Sequence, residues 1–188
     1  MSGALLACVF LFAACSSSGS SKTKTTETIG NSVPNTDATT VPPAPLAFSA
    51  CSLASPATVK QILGVTAPGT ETDSGVVQRT CKWATGPSST NITAATMYLG
   101  MIRTSETNVG YGSNVVGLTP QVLQGLGDSA TFSTGTGSSG VHEGLLVAKK
   151  GTVSVSVTVF YPAATNLPST LQADLTTLVK TVFTKLHA

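Results

Sequence analysis

The sequence predicts an α+β domain, in which a mostly antiparallel β-sheet is packed on one face by a long C-terminal helix and a short N-terminal helix. Valine alternates with serine and threonine over residues 152–160, a two-residue period typical of a strand in a sheet with one buried face. Apolar residues recur at helical spacing over residues 167–186. A helix with such a stripe must bury it, most simply against the valine face of the sheet.

The first fifteen residues combine an apolar stretch with a cysteine at its end. Residues 4–14 form an unbroken apolar stretch, which suits the hydrophobic region of a signal peptide and is too short to cross a membrane as a helix. The stretch ends in the letters Phe-Ala-Ala-Cys, the last of them Cys15, and serines follow. These letters resemble the lipobox, which implies that residues 1–14 are a signal peptide and that Cys15 becomes the diacylated first residue of the mature chain. We therefore expect an exported protein that its lipid holds at the outer face of the cytoplasmic membrane.

Two other interpretations of this segment stay open. Cys8 also follows letters that match the lipobox, although almost no hydrophobic region precedes it. Alternatively, the segment is an ordinary secretory signal that is cleaved near Ala14, and the cysteine after it has no special role.

A disordered tether is predicted after the signal, over residues 15–47. Residues 16–47 hold 13 Ser or Thr and four Pro, and their apolar side chains are too few to offset the entropy of ordering the chain. As a flexible coil this segment reaches on the order of 30 Å, which lifts a folded domain off a membrane surface. One globular extracytoplasmic domain, residues 48–188, is predicted to follow.

The domain should begin with a short helix between Ser55 and Gly64. Serine caps a helix, the proline after it suits the first helical position, and glycine ends it. Two strands are then predicted at residues 76–84 and 92–102, because apolar and polar side chains alternate there.

The second half of the domain mixes a long loop with further strands. Residues 104–114 are rich in Gly, Asn and Ser and are predicted to be a loop, and Thr119-Pro120 predicts a single helical turn. A hairpin should follow, with arms at residues 130–133 and 141–149. It leads into the valine-rich strand and the C-terminal helix.

Two cysteines, Cys51 and Cys81, remain beyond the signal. In an oxidising extracytoplasmic compartment an even pair most simply forms a disulfide. Two free thiols or a metal pair are the alternatives, although a zinc site needs three or four protein ligands. Trp83 shares the predicted strand face with Cys81, and we expect it to pack in the core.

Three short motifs stand out in the domain. They are Cys51 before a helix that ends at Gly64, the segment Cys81-Lys-Trp83, and the segment Gly125-Leu-Gly-Asp128. Together they resemble a family of small actinobacterial cell-envelope lipoproteins of unknown function. The resemblance implies lipidation, a disulfide between Cys51 and Cys81, and a role at the cell surface. It brings no activity with it.

The low charge of the chain excludes several classes of function. Charged residues make up 10% and the net charge is +2, whereas an average soluble domain is about 25% charged. Ser and Thr instead account for 52 of the 188 residues. Such a chain lacks the electrostatic footprint of a nucleic-acid-binding protein, and it offers few ionisable groups for acid–base catalysis.

The motifs that suggest chemistry all have a structural explanation. The segment Gly135–Gly140 matches the letters of a dinucleotide-binding loop, but it leads into a predicted strand instead of a helix. His142 and Glu143 are adjacent, and neighbours in a strand point to opposite faces. Asp128 is expected to hold a turn through its side chain. We therefore assign no catalytic residue, no metal ligand and no cofactor.

These observations favour a non-enzymatic, membrane-anchored lipoprotein whose domain binds either another envelope protein or a small apolar ligand. Tyr111, which lies between two glycines, is a candidate exposed contact. One alternative is a carrier or sensor of small hydrophobic molecules, with a cavity between the sheet and the helix. A third hypothesis is an enzyme that acts on envelope polymers, with polar groups converging around His142 or Asp128.

Overall fold

The structure, a computed structural model, describes five stretches of the chain: residues 47–75, 77–86, 94–103, 118–137 and 140–188. Several predictions fall outside them. The signal peptide with Cys15, the tether up to residue 46 and the predicted loop with Tyr111 all lie outside the described residues.

Seven strands and two helices make up the described part of the chain. In chain order they are α1 (Pro56–Leu63), β1 (Gly69–Asp73), β2 (Gln78–Ala84), β3 (Thr96–Arg103), β4 (Leu118–Val122), β5 (Ser129–Thr136), β6 (His142–Lys150), β7 (Val153–Tyr161) and α2 (Leu171–Lys185). A one-turn 3₁₀ helix, Ala50–Ser52, precedes α1. The strands form one sheet in the order β1-β2-β3-β7-β6-β5-β4, and every pairing is antiparallel. The predicted α+β class is confirmed.

One face of the sheet, here called the core face, carries the hydrophobic core. The strand register aligns buried side chains from five neighbouring strands along it: Cys81, Leu99, Val157, Leu146 and Phe132. Helix α2 packs on this face against β6 and β7. Its apolar stripe therefore meets the valines of β7, as its spacing predicts. The opposite face is called the open face.

Helix α1 begins and ends where the sequence predicts. The Ser55 hydroxyl accepts a hydrogen bond of 3.1 Å from the backbone N–H of Thr58, which satisfies one of the free donors of the first turn. Gly64 ends the helix with a φ of +76°, a left-handed conformation that favours glycine. The Tyr161 hydroxyl donates to the carbonyl of Ile62, so that the end of β7 is tied to the helix.

Two strands differ from the sequence prediction. Residues 118–122 form the edge strand β4, so the helical turn predicted at Thr119-Pro120 is wrong. Proline lacks the N–H of a strand residue but is tolerated at a sheet edge, where no further strand needs that donor. The other edge strand, β1, has a polar sequence without apolar alternation, and its side chains are exposed or half-buried. The sequence of β1 therefore contains no hydrophobic alternation from which the strand could be predicted.

A disulfide joins Cys51 of the 3₁₀ helix to Cys81 of β2, with the two Cα atoms 5.1 Å apart. Trp83 packs in the core, as expected, with 3% of its surface exposed. The edge strand approaches this ring closely at Gly69. A Cβ atom there would lie 2.6 Å from Trp83 Nε1, so a residue without a side chain is what lets β1 pair at this point.

Candidate functional site

A cavity of about 210 Å³ lies on the open face of the sheet. It extends over four neighbouring strands, β2, β3, β7 and β6. Polar side chains from the two flanking strands β2 and β7 line it: Gln78, Thr80, Ser154 and Ser156. The apolar lining includes Tyr98, Ile102 and Val147. Apart from the core residues Met101 and Val155, the lining comes from alternating strand positions on the open face.

Gly100 forms the floor of the cavity. In the strand register it lies between Thr80 and Ser156, so that the three residues form a row across β2, β3 and β7. A Cβ atom at this position would lie 2.8 Å from Ser156 Oγ and 3.7 Å from Thr80 Oγ1. The absence of a side chain at Gly100 thus leaves open the space between the two hydroxyls.

Ser154 is one of the polar residues that line the cavity. The residue is 3% exposed, and its Oγ atom is buried without a hydrogen bond to any part of the chain that the structure describes. Leaving a buried hydroxyl unsatisfied costs about 1–3 kcal/mol. Natural structures keep few such groups, so this one needs an explanation, and a ligand that supplies the missing hydrogen bond is one.

Tyr98 forms an aromatic wall whose position is fixed by its neighbours. The Lys82 ammonium lies 5.4 Å from the centre of the ring, within the range of a cation–π interaction. The Phe160 ring meets it edge-on, with the two ring centres 6.0 Å apart and an angle of 84° between the planes. Both contacts favour this orientation of the ring.

The lining of the cavity is electrically neutral. None of the described residues that line it is an Asp, Glu, Lys, Arg or His. Its polar atoms are hydroxyls and one amide, which both donate and accept hydrogen bonds. These groups can bind an uncharged ligand through neutral hydrogen bonds.

His142 and Glu143 do not come together. His142 is in register with Tyr161 and its Nδ1 atom lies 3.3 Å from Thr136 Oγ1. Glu143, the next residue of β6, points to the open face and is 8% exposed. Burial raises the pKa of the Glu143 carboxyl. The two side chains are therefore on opposite faces of the strand, as the alternation of β6 predicts.

The side chain of Asp128 holds the β6–β7 connection, 23 positions further along the chain, instead of the local turn expected from its sequence context. Its Oδ2 atom accepts a hydrogen bond of 2.7 Å from the backbone N–H of Gly151, and its own N–H donates to the carbonyl of Lys149 at 2.7 Å. These bonds tie the chain before β5 to the β6–β7 connection. Over the described ranges, no three His, Cys, Asp or Glu side chains lie close enough together to hold a metal ion.

Comparison with known proteins returns no match, whether the chain is compared with protein-family models, with curated proteins or with solved structures. The resemblance to the actinobacterial lipoproteins stays a prediction. In the part of the chain that the structure describes, no helix is long and apolar enough to span a membrane.

The sequence prediction did not identify this cavity. Met97, Leu99 and Met101 alternate with Thr96 and Tyr98 in the sequence, which predicts Tyr98 on the polar side of its strand, and Tyr98 does lie on the open face. The prediction did not place Ser154 and Ser156 beside that strand, since their partners Ile102 and Gly100 lie more than fifty positions earlier in the chain. A glycine inside an alternating strand was the available signal: Gly100 interrupts the pattern of β3 where the backbone must be uncovered.

Proposed function

We propose that this chain is an exported lipoprotein of the cell envelope whose domain binds a small uncharged ligand on the open face of its sheet. The observation that carries the proposal is the neutral cavity over Gly100, lined in part by Ser154, whose hydroxyl has no hydrogen-bond partner among the described residues. A ligand that reaches this hydroxyl gains a hydrogen bond for which the protein has already met the desolvation cost.

The local structure around the ionisable groups supports binding over catalysis. General acid–base catalysis needs an imidazole or a carboxylate within hydrogen-bond reach of the reacting group. The imidazole of His142 lies against Thr136, and the carboxylate of Asp128 is hydrogen-bonded to the backbone N–H of Gly151. The hydroxyls of Thr80 and Ser156 lie in a lining whose described residues include no such base. The enzyme hypothesis therefore has less support than ligand binding.

Export and anchoring are proposed from the N-terminal sequence, with Cys15 as the lipidated residue and residues 16–47 as the tether. The bond between Cys51 and Cys81 supports an oxidising compartment, because disulfides persist outside the cytoplasm. A domain on a tether that reaches on the order of 30 Å from the membrane can meet ligands in the envelope space.

Ligand-observed NMR on the purified full chain tests the binding function. The probes are uncharged small molecules of three kinds: methyl glycosides, short alcohols such as hexanol, and simple amides. The Gly100→Ala variant fills the floor of the cavity, and Gly137→Ala is its control, because a Cβ at Gly137 meets its neighbours at ordinary distances of 3.7 Å or more.

We expect at least one probe to bind wild type and Gly137→Ala, and to lose most of its affinity for Gly100→Ala. Equal binding to all three proteins places the ligand elsewhere and overturns the proposal. An absence of binding by every probe also overturns it.

A further inference from the structure

We propose that the cavity over Gly100 binds one ring of a neutral carbohydrate, either as a free monosaccharide or as the end of a glycan. The inference rests on the proposed binding function and names the chemical class of its ligand. Three features of the cavity carry it: the arrangement of its polar side chains, its apolar wall, and its size.

The four polar side chains surround the floor as the corners of a rectangle. Thr80 and Ser156 flank Gly100 in one row, while Gln78 and Ser154 flank Ile102 in the next row of the same face. The corners are two strand spacings apart in one direction, roughly 10 Å, and two residues apart in the other, roughly 7 Å. One sugar ring fits between these four side chains, and the hydroxyls around its edge can form hydrogen bonds with several of them.

The polar groups also match a sugar in kind. Every sugar hydroxyl donates one hydrogen bond and accepts others, and the serine and threonine hydroxyls and the glutamine amide of the cavity do the same. Ser154 in particular lacks a partner within the described residues. A polyhydroxylated ring supplies donors and acceptors in many directions, so it satisfies this group without a unique geometry.

The apolar part of the lining suits the C–H groups of a sugar ring. Tyr98 and Ile102 lie on β3, each two residues away from Gly100. Val147 contributes to the lining from β6. A sugar ring carries its hydroxyls at the edge and C–H groups on its faces. The ring can therefore bury its faces against this lining while its edge bonds to the polar corners.

Other ligand classes fit less well. A fatty acyl chain makes no hydrogen bonds, so it leaves the buried Ser154 hydroxyl unsatisfied and removes water from three other polar side chains. Phosphate and other anions are held by charge-assisted hydrogen bonds, and no Lys or Arg is among the described residues that line the cavity.

The size limits the ligand to a single ring. The volume of about 210 Å³ is below the roughly 300 Å³ at which sites for drug-sized ligands begin. A longer glycan extends beyond the cavity, so that only part of it is held there.

The test measures the affinity of the purified full chain for methyl glycosides of neutral hexoses and pentoses, with hexanol, octanoate and inorganic phosphate as comparisons. Two variants are measured beside wild type. Ser154→Ala removes the unpartnered hydroxyl, and Ser133→Ala is its control. Ser133 is also a buried serine of the open face, 2% exposed, but it does not line the cavity.

We expect a glycoside to bind wild type and Ser133→Ala equally and Ser154→Ala roughly three- to tenfold more weakly, the effect of one net hydrogen bond. The thermal midpoint of ligand-free Ser154→Ala should equal or exceed that of wild type, because the substitution removes an unsatisfied buried group. A loss of affinity together with a lower midpoint would instead mean that Ser154 acts through folding, and it would overturn the assignment.

The other outcomes separate this inference from the binding function itself. Binding of hexanol but of no glycoside, with sensitivity to Gly100→Ala, overturns the carbohydrate class and leaves the binding site. Binding of no probe overturns both. A disaccharide that binds as tightly as its terminal methyl glycoside indicates the end of a glycan, whereas binding of the monosaccharide alone indicates a free sugar.

Discussion

The carboxylate of Glu71 accepts a hydrogen bond of 2.6 Å from the backbone N–H of Ala50. Glu71 lies in the edge strand β1, directly opposite Cys81 in the register, while Ala50 precedes the other half of the disulfide, Cys51. The 3₁₀ helix is therefore fastened twice, by a covalent bond to β2 and by a charged hydrogen bond to β1. The hydrogen bond between Glu71 and Ala50, which are 21 positions apart, thus attaches the 3₁₀ helix to the edge of the sheet.

Replacing Glu71 by Gln should lower stability at neutral pH and leave it unchanged in acid. The hydrogen bond from Ser49 lowers the pKa of the Glu71 carboxyl, and the Ala50 N–H and Arg79 add to the effect. A folded-state pKa below the ordinary value means that the ionised group contributes stability above about pH 4.5, and that this contribution is lost as the pH falls through the folded-state value. Urea unfolding of wild type and Glu71→Gln, at pH 7 and well below pH 4.5, measures the stability that the ionised carboxylate contributes.

Because glutamine keeps an oxygen that can accept from the Ala50 N–H, this variant removes the charge and retains the shape. Asp73→Asn, a charge removal on the same strand, is the control and should have a smaller effect on the urea midpoint. An equal loss for Glu71→Gln at both pH values would show that the charge is not what stabilises the turn.

Glu143 should have the opposite pH dependence. Burial raises the pKa of its carboxyl above the ordinary value of 4.5, so the native state favours the protonated form. The stability associated with that form is complete below about pH 4.5 and is lost as the pH rises through the folded-state pKa. Glu143→Gln should therefore raise the free energy of unfolding at pH 7 and have almost no effect in acid.

Chemical denaturation over a pH series checks this expectation. Glu71→Gln is the comparison, because it should lower the free energy of unfolding at neutral pH where Glu143→Gln should raise it. If Glu143→Gln destabilised the protein at neutral pH, the ionised carboxylate would have to be making favourable contacts, and the desolvation argument would fail.

The parts of this fold that could be predicted from sequence are those with local signals. The cap at Ser55 and the stop at Gly64 determine α1, and the alternating valines of β7 identify a strand without reference to any other segment. Pro120 misled the prediction because the same residue is common at a helix start and tolerated at a sheet edge. Only the pairing of β4 with β5 shows that Pro120 lies in an edge strand and not at a helix start.

The candidate site required long-range information. Thr80, Gly100 and Ser156 form a row only because β7, the last strand in the chain, pairs between β3 and β6. A one-residue shift in either register would turn these side chains to the core face. The sequence indicated which residues avoid the core, whereas the structure shows which of them are neighbours.

The disulfide should contribute substantially to stability. Cys51 and Cys81 are 30 positions apart, and in the chain-entropy model closing a loop of that length stabilises a protein by roughly 3–4 kcal/mol. The double variant Cys51→Ser, Cys81→Ser should lose about that much in urea unfolding. Adding a reductant should lower the stability of wild type towards that of the double variant and leave the variant unchanged.

Thiol counting under denaturing, non-reducing conditions provides an independent check of the same bond. The folded domain should yield no alkylated peptide that contains Cys51 or Cys81 until a reductant is added. Full alkylation of both without reduction would contradict the bond, and so would a double variant as stable as wild type.

Cys15 should determine where the protein is found. If signal peptidase II cleaves before it and the cysteine is diacylated, the mature chain begins at a modified Cys15 and partitions into the membrane, because the buried acyl chains contribute about 0.8 kcal/mol for each CH₂. Cys15→Ala should shift the protein from the membrane fraction to the soluble fraction, while Cys8→Ala should have no such effect. Mass spectrometry of the N-terminal peptide of the wild-type protein identifies the modified residue. An unmodified N-terminus beyond Cys15 would contradict the anchor, and lipid on Cys8 would move it to the earlier cysteine.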